Sequence, residues 1–216
     1  MNISKQIILS IRESLLQWGQ DNMRSYPWRH DRNPYRVLVS EFMLHRTQAT
    51  QVIPIYNHFI KTFPDLEKFY HGKNDTIREI LQSLGLSWRI TGMIQALIEI
   101  YEHFEEVPNN YEDLISIKGI GPYIAGATVC FSTNLSLPLI DTNTVRVTGR
   151  LLGLDISGEA RRRKAIQTAI ANTVDPEHPR NYYYSMIDLA HTICKPHKPS
   201  CEVCPLRISC TFINSR

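Results

Sequence analysis

A chain of 216 residues, 43% hydrophobic and 21% charged, can bury a substantial core in one domain or in two interleaved ones. Its formal net charge of +3 suits a polyanionic partner without demanding one. No apolar run reaches the roughly 20 residues of a membrane span, and the N-terminal run Ile3–Trp18, with Lys5, Arg12 and Glu13, reads as an amphipathic helix and not as a secretory leader.

Helical periodicity runs along almost the whole chain, strand signals are scarce, and there is no internal repeat or low-complexity tract. The predicted helices, in order, are Ser4–Met23, Tyr35–His45, Ala49–Phe63, Asp75–Leu84, Arg89–Phe104, Tyr111–Ile117, Pro122–Asn134, Asn143–Leu154, Ala160–Thr173 and Asn181–Cys194. Turn signals separate them: PWRHDRNP, FPD, HGKND, GLS, EEVPNN, KGIG, SLPLID and DPEHP. Asp75 is placed to cap its helix, and Asn109 or Asn110 to cap the helix at Tyr111.

In the second helix Glu41 sits among Val39, Phe42, Met43 and Leu44. A carboxyl in that company is either on the polar face of its helix or half buried with a raised pKa. Trp88, just past the Leu84-Gly85 turn, is either a core tryptophan or a surface aromatic. Between Leu114 and Ala127 one helix ends, the chain turns through Gly119-Ile120-Gly121, and Pro122 opens the next helix at a position proline favours. Glycines at 119 and 121 permit positive φ and leave backbone N–H groups bare. Aimed from a helix N-terminus, such donors suit a DNA phosphate. Ile120 would plug the turn onto the core. The competing reading is an ordinary helix–helix turn with glycine as its C-cap. Cys130, inside the apolar AGATVCF stretch, is a core cysteine. Asp141 is either the N-cap of the helix at Asn143 or a carboxylate used in chemistry. Arg161-Arg162-Arg163-Lys164 reads as a solvated helix face, with phosphate steering as the alternative.

The chain closes on Cys194-x6-Cys201-x2-Cys204-x5-Cys210, which holds four of the five cysteines. A single C-x2-C flanked by lone cysteines suits the corners of a [4Fe–4S] cluster better than a zinc tetrahedron built from paired knuckles. A zinc knuckle and a pair of disulfides are the competing readings. The array and the fifth cysteine argue against an oxidising compartment, so a cytoplasmic protein is expected.

In combination and in order, these pieces resemble the helix–hairpin–helix DNA glycosylases of the endonuclease III and MutY type, over nearly the whole chain. The matching stretches are Pro27-Trp28-Arg29; Asn33-Pro34-Tyr35 leading to Ser40-Glu41-Phe42-Met43-Leu44; Thr47-Gln48 and the Pro54-containing helix; Leu84-Gly85-Leu86; Gly119-Ile120-Gly121; Asp141-x-Asn143 with Arg146-Val147; and the cysteine array. The resemblance implies an all-α fold of two helical domains flanking a DNA-binding cleft. One is a helical barrel at residues 25–135 that carries the helix–hairpin–helix. The other is a discontinuous [4Fe–4S] cluster domain made of residues 1–24 and 136–216. It further implies a monomer acting on double-stranded DNA that contains a mismatch, with one nucleotide flipped out, in the cytoplasm and on nucleoid DNA.

The same resemblance assigns roles. Asp141 matches the essential aspartate, which stabilises positive charge on the sugar and can deprotonate water. Glu41 matches the catalytic glutamate that acts on the departing base or positions water. Tyr123 stands where bifunctional relatives place a lysine, where MutY-type enzymes usually have serine and where the thymine-removing Mig type has tyrosine. Tyrosine cannot form an imine, which implies a monofunctional enzyme with no or weak lyase activity. Arg46-Thr47 matches the Mig type, whereas MutY-type enzymes read Gln-Gln at His45-Arg46. Gln48 is MutY-like, and the chain ends six residues after Cys210, without the further domain by which MutY-type enzymes recognise 8-oxoguanine. His45 and Arg46 are candidate readers of the widowed guanine. Leu86, Ser87 and Trp88 lie where relatives carry a wedge, and Lys195, Lys198 and Arg207 are placed to meet phosphates. The expected activity is removal of thymine, or uracil, from mispairs with guanine. Adenine removal from A:G or A:8-oxoguanine is the runner-up. A non-catalytic cluster-bearing DNA-binding module and a bifunctional lyase are the remaining alternatives.

Overall fold

A helix that buries residues around its whole circumference belongs at a domain centre. The segment PYRVLVSEFML has no polar stripe. In the computed structural model, which describes residues 4–85 and 87–214, it forms α2 (Pro34–Leu44) with an unbroken buried run from Val37 to Met43. Asn33 starts it by accepting the Arg36 N–H at 3.2 Å, and Pro34 sits in its first turn. A second helix of this kind, α8 (Pro122–Thr133), is buried without a break from Ala125 to Phe131 and packs on α2. Helices α3 (Ala49–Thr62) and α6 (Ser87–Phe104) also lie against α2. The short α4 (Leu66–Tyr70) packs on α6, α5 (Asn74–Leu81) on α3, and α7 (Tyr111–Ser116) on α8. Phe59, Phe63 and Phe69 close one end, with ring centroids 5.3 to 6.0 Å apart. With 3-10 turns at Pro27–Arg29 and Gln82–Leu84, these elements form one compact unit, Ser25–Thr133.

The other unit joins the residues before Ser25 to those from Asn134 onward. It contains α1 (Lys5–Asn22), α9 (Thr142–Leu152), α10 (Lys164–Thr173), α11 (Pro179–Thr192) and the short α12 (Thr211–Asn214), with 3-10 turns at Ala160–Arg162 and Cys201–Val203. Helix α1 lies on α11, and α9 packs against α10, α11 and α12. Asp188 of α11 is fully buried and takes the Arg24 backbone N–H at 2.8 Å and its Nε at 2.6 Å, so its charge is paired. Among the described residues there is no strand, and no helix is long and apolar enough to cross a membrane.

At Gly19 of α1 the backbone lies close against Ser185 of α11. A Cβ there would stand 2.9 Å from the Ser185 Cβ, which cannot rotate away. Gly19→Ala is expected to lower the thermal midpoint, because overpacking at about 1–3 kcal/mol outweighs the ~1 kcal/mol that alanine gains over glycine in a helix. An unchanged or raised midpoint in a thermal melt would show that the two helices slide apart freely.

Several boundaries differ from the sequence-based expectation, each for a local reason. Asp75 does not cap α5: Lys73 is the N-cap residue, and Asp75 lies in the first turn, where its charge still favours the helix dipole. Residues 82–84 tighten into a 3-10 turn that ends on Gly85 at φ 67°. Helix α4 lies outside the predicted set. It is too short for periodicity to register, though Asp65 caps it by accepting the Lys68 N–H at 2.7 Å. The expected helix Ala160–Thr173 breaks at Arg163, which is extended at φ −75°, ψ 124° while its guanidinium bonds the Asp155 and Ser157 carbonyls at 2.8 and 2.9 Å. The basic run therefore lies on a turn and not on one helix face. Arg161, Arg162 and Lys164 are exposed and Arg163 is half-buried, and Arg161, Arg162 and Arg163 all have carboxylate neighbours in Glu159 and Asp155.

Candidate nucleic-acid interface and active-site residues

The hairpin forms because three local preferences agree. Asn110 caps α7 by accepting the Asp113 N–H at 2.9 Å, Gly119 takes φ 92°, and Pro122 opens α8. Ile117 and Ile120 are 4% and 5% exposed and anchor the turn in the core. The Ile120 N–H donates to the Ile117 carbonyl at 3.1 Å. A Cβ on Gly121 would meet nothing within 4 Å, so the backbone there faces open space. Such a turn at a helix start offers N–H donors to an anion. Tyr123, the second residue of α8, is half-buried.

Glu41 is 7% exposed within the buried run of α2 and does not lie on a polar helix face. Just after α2, His45 and Arg46 are exposed, and Arg46 adopts φ 63°, a conformation rarely held by a residue with a side chain. The His45 pKa is lowered, first by desolvation and then by the Arg46 and Arg89 charges, so its imidazole is neutral at neutral pH. Its ring meets the Trp88 ring edge-on at 6.3 Å. Trp88 is 59% exposed, which removes it from the core and leaves it free to stack. Ser87 is exposed in the first turn of α6, and Leu86 lies outside the described residues.

Arg89 is a residue that sequence reasoning missed. It is 4% exposed and donates to the His45 carbonyl, to Thr47 Oγ1 at 2.9 Å and to the Leu84 carbonyl at 2.8 Å. A signal exists: Arg89, Met93, Leu97 and Ile100 follow helical spacing, which places an arginine on the buried stripe of α6.

In the other unit Asp141 is the N-cap of α9 with a full capping box. Its Oδ1 accepts the Asn143 and Thr144 N–H groups at 3.0 and 2.7 Å. The Thr144 hydroxyl accepts the Asp141 N–H at 3.0 Å, and Asp141 Oδ2 accepts the Asn143 side-chain amide at 2.8 Å. Capping and chemistry do not exclude each other here, because the cap fixes the orientation of a partly exposed carboxylate.

The four C-terminal cysteines follow one another through tight turns: Cys204 N–H donates to the Cys201 carbonyl at 3.3 Å, Arg207 to Cys204 at 3.1 Å and Cys210 to Arg207 at 3.3 Å. Leu206, 3% exposed, pins the loop. None of them is joined in a disulfide. Burial pushes the Cys204 thiol up to about 11, and the thiols of Cys194, Cys210 and Cys201 add to the effect. Among the described residues no three His, Cys, Asp or Glu side chains are grouped closely enough to hold a metal ion. The thiols of Cys194, Cys201, Cys204 and Cys210 are nonetheless the soft donor type that an iron–sulfur cluster takes. Arg146 and Arg150 of α9 hold the start of the loop. Arg146 Nε donates to the Cys194 carbonyl at 2.9 Å, and Arg150 donates to the Lys195 and Pro196 carbonyls at 2.6 and 2.8 Å. Cys130 is fully buried in α8, as expected of a core cysteine. An open groove of about 820 Å³ beside α3 and α5, lined in part by Gln51, His58 and Glu79, contains none of the candidate residues.

No protein-family model matches the chain. It is 29% identical to the thymine-DNA glycosylase of Aeropyrum pernix over 99% of its own length and 98% of that protein. It is 30% identical to the adenine DNA glycosylase of Buchnera aphidicola subsp. Baizongia pistaciae over 94% of this chain, and spans 59% of that relative's length. The solved structure of a thermostable thymine-DNA glycosylase matches it with a TM-score of 0.87 at 25% identity, covering 98% of each chain.

Proposed function

This chain belongs to the helix–hairpin–helix DNA glycosylases, and on that premise we propose that it is a monofunctional mismatch glycosylase of base excision repair, removing thymine or uracil paired with guanine. The carrying observation is Tyr123 in the first turn of α8, two residues past Gly121, in a chain similar to a thymine-DNA glycosylase over nearly the full length of both. No amine stands at that position, so a water molecule is the nucleophile.

The reaction breaks the bond between the sugar carbon and the base nitrogen, and the base leaves with the electron pair. Asp141 stabilises the positive charge that builds on the sugar and takes the proton from the entering water. Glu41 bonds or protonates an oxygen of the departing base. Tyr123 contacts the flipped nucleotide, and the N–H groups around Gly119 and Gly121 hold a backbone phosphate. His45 and Arg46 read the estranged guanine, and Trp88 stacks beside the gap. Cys194, Cys201, Cys204 and Cys210 ligate a [4Fe–4S] cluster that supports the loop bearing Lys195, Lys198 and Arg207. What supports this last reading is the Cys194-x6-Cys201-x2-Cys204-x5-Cys210 spacing, carried on a loop of tight turns. The protein acts as a monomer.

Incubation with duplexes carrying T:G, U:G, A:G and A:8-oxoguanine, followed by alkali, tests the assignment. Thymine and uracil release is expected, strand scission should need the alkali, and borohydride should trap no covalent complex. Tyr123→Lys is expected to bring in trapping, since it sets an amine beside the sugar, where burial can leave part of it unprotonated. Gln48 and the adenine glycosylase relative favour one second reading. Adenine release from A:8-oxoguanine with T:G left intact would establish it and overturn the first.

A further inference from the structure

We propose that Arg89 is a specificity-positioning residue: one buried guanidinium fastens the His45–Thr47 turn to the Leu84–Gly85 turn, and so holds Arg46 in the strained backbone from which it reads the base opposite the lesion. The proposal rests on the glycosylase reading and concerns how the same site selects guanine.

The two turns are far apart in sequence and share no secondary structure. Each is bent through a left-handed residue, Arg46 at φ 63° and Gly85 at φ 67°. Glycine holds that conformation without strain, whereas arginine does not, so Arg46 needs support from its surroundings. Arg89 supplies it on both flanks, through the His45 carbonyl and Thr47 Oγ1, and reaches the residue before Gly85 through the Leu84 carbonyl. The planar fork of a guanidinium has enough donors to bond three divergent oxygens, and an ammonium on a lysine stem lacks that geometry. Arg89 is nearly enclosed, burial lowers its pKa, and its three hydrogen-bond acceptors are two carbonyls and a hydroxyl. A core position needing only volume would be filled at far lower cost by leucine or methionine. The arrangement also sorts neighbouring side chains: Arg89 turns inward while Trp88 is 59% exposed.

The test is a double-mutant cycle on the holoprotein. The ratio of single-turnover thymine release opposite guanine to that opposite other bases is measured for wild type, Arg46→Ala, Arg89→Met and the double variant. Arg89→Met should reduce the guanine preference by about tenfold or more, the scale of one lost arginine–guanine contact. It should reduce it no further when Arg46 is already alanine. Arg89→Lys should behave like Arg89→Met. If neither Arg89 variant folds, Thr47→Val, which removes one acceptor, should give a smaller loss that also vanishes in the Arg46→Ala background. Retained preference in these variants, or losses that add fully to that of Arg46→Ala, would overturn the proposal. Absence of thymine release by the wild type would instead overturn the functional reading, which keeps the two failures distinct.

Discussion

Asp141→Asn is expected to abolish base release while leaving binding to mismatched DNA within a few-fold of wild type. Asparagine is as good an N-cap as aspartate, so its oxygen can keep the Asn143 and Thr144 N–H bonds that start α9. The new amide group would face the Asn143 amide where Oδ2 now accepts it. Asn143 cannot flip freely to relieve this, because its oxygen accepts from Arg146 at 3.1 Å. A stability cost of about 1 kcal/mol, the worth of one such bond, should therefore appear in the melt. The rate should fall roughly a hundredfold or more, as expected for a charge that acts mainly in the transition state. Asp141→Ala separates the two roles. It removes cap and charge together, and should be equally inactive while losing about 0.5–2 kcal/mol of stability through the cap. If Asp141→Asn retains near wild-type single-turnover rates, the residue is a cap alone and the active site lies elsewhere.

Cys204→Ser should yield colourless protein with a disordered C-terminal loop, whereas the wild type should be brown and contain iron and acid-labile sulfide in equal amounts. Cys204 is the most telling position because all three other thiols act on it, and burial already holds it protonated at neutral pH without a metal. Thiol ligands lose their protons when they bind a metal and draw together around it, so metal binding and ordering of the loop are coupled. The stretch from Cys194 to Cys210 is held by its tight turns, by buried Leu206 and by bonds from Arg146 and Arg150. Limited proteolysis should cut the serine variant there and spare the wild type. Colourless wild-type protein with stoichiometric zinc would replace the cluster with a zinc knuckle.

Features set by neighbours along the chain are legible in the amino-acid order alone. The Asn110 cap, the Gly119-Ile120-Gly121 turn with its buried isoleucine, the proline starting α8 and Asp141 at the head of α9 each follow from a few consecutive residues, whose backbone preferences act over one helical turn. The all-helical class follows from periodicity, which sums many weak preferences in one direction. Glu41 has two readings in the sequence because an apolar helix does not say how many of its sides will be covered; α2 is covered on all of them, since α3, α6 and α8 pack around it. Trp88 is ambiguous between core and surface for the same reason, and its exposure follows from how α6 is rotated against the unit. Arg89 carries no local mark beyond its place on an apolar stripe, because its meaning depends on three oxygens contributed by two distant turns. The sequence by itself thus determined the all-helical class, the longer helices to within their boundaries, the hairpin, the cap at Asp141 and the spacing of the thiols. Only the tertiary structure decided which polar groups are enclosed and what they hold, because burial and long-range hydrogen bonds depend on which segments meet in space, and local preference does not encode that.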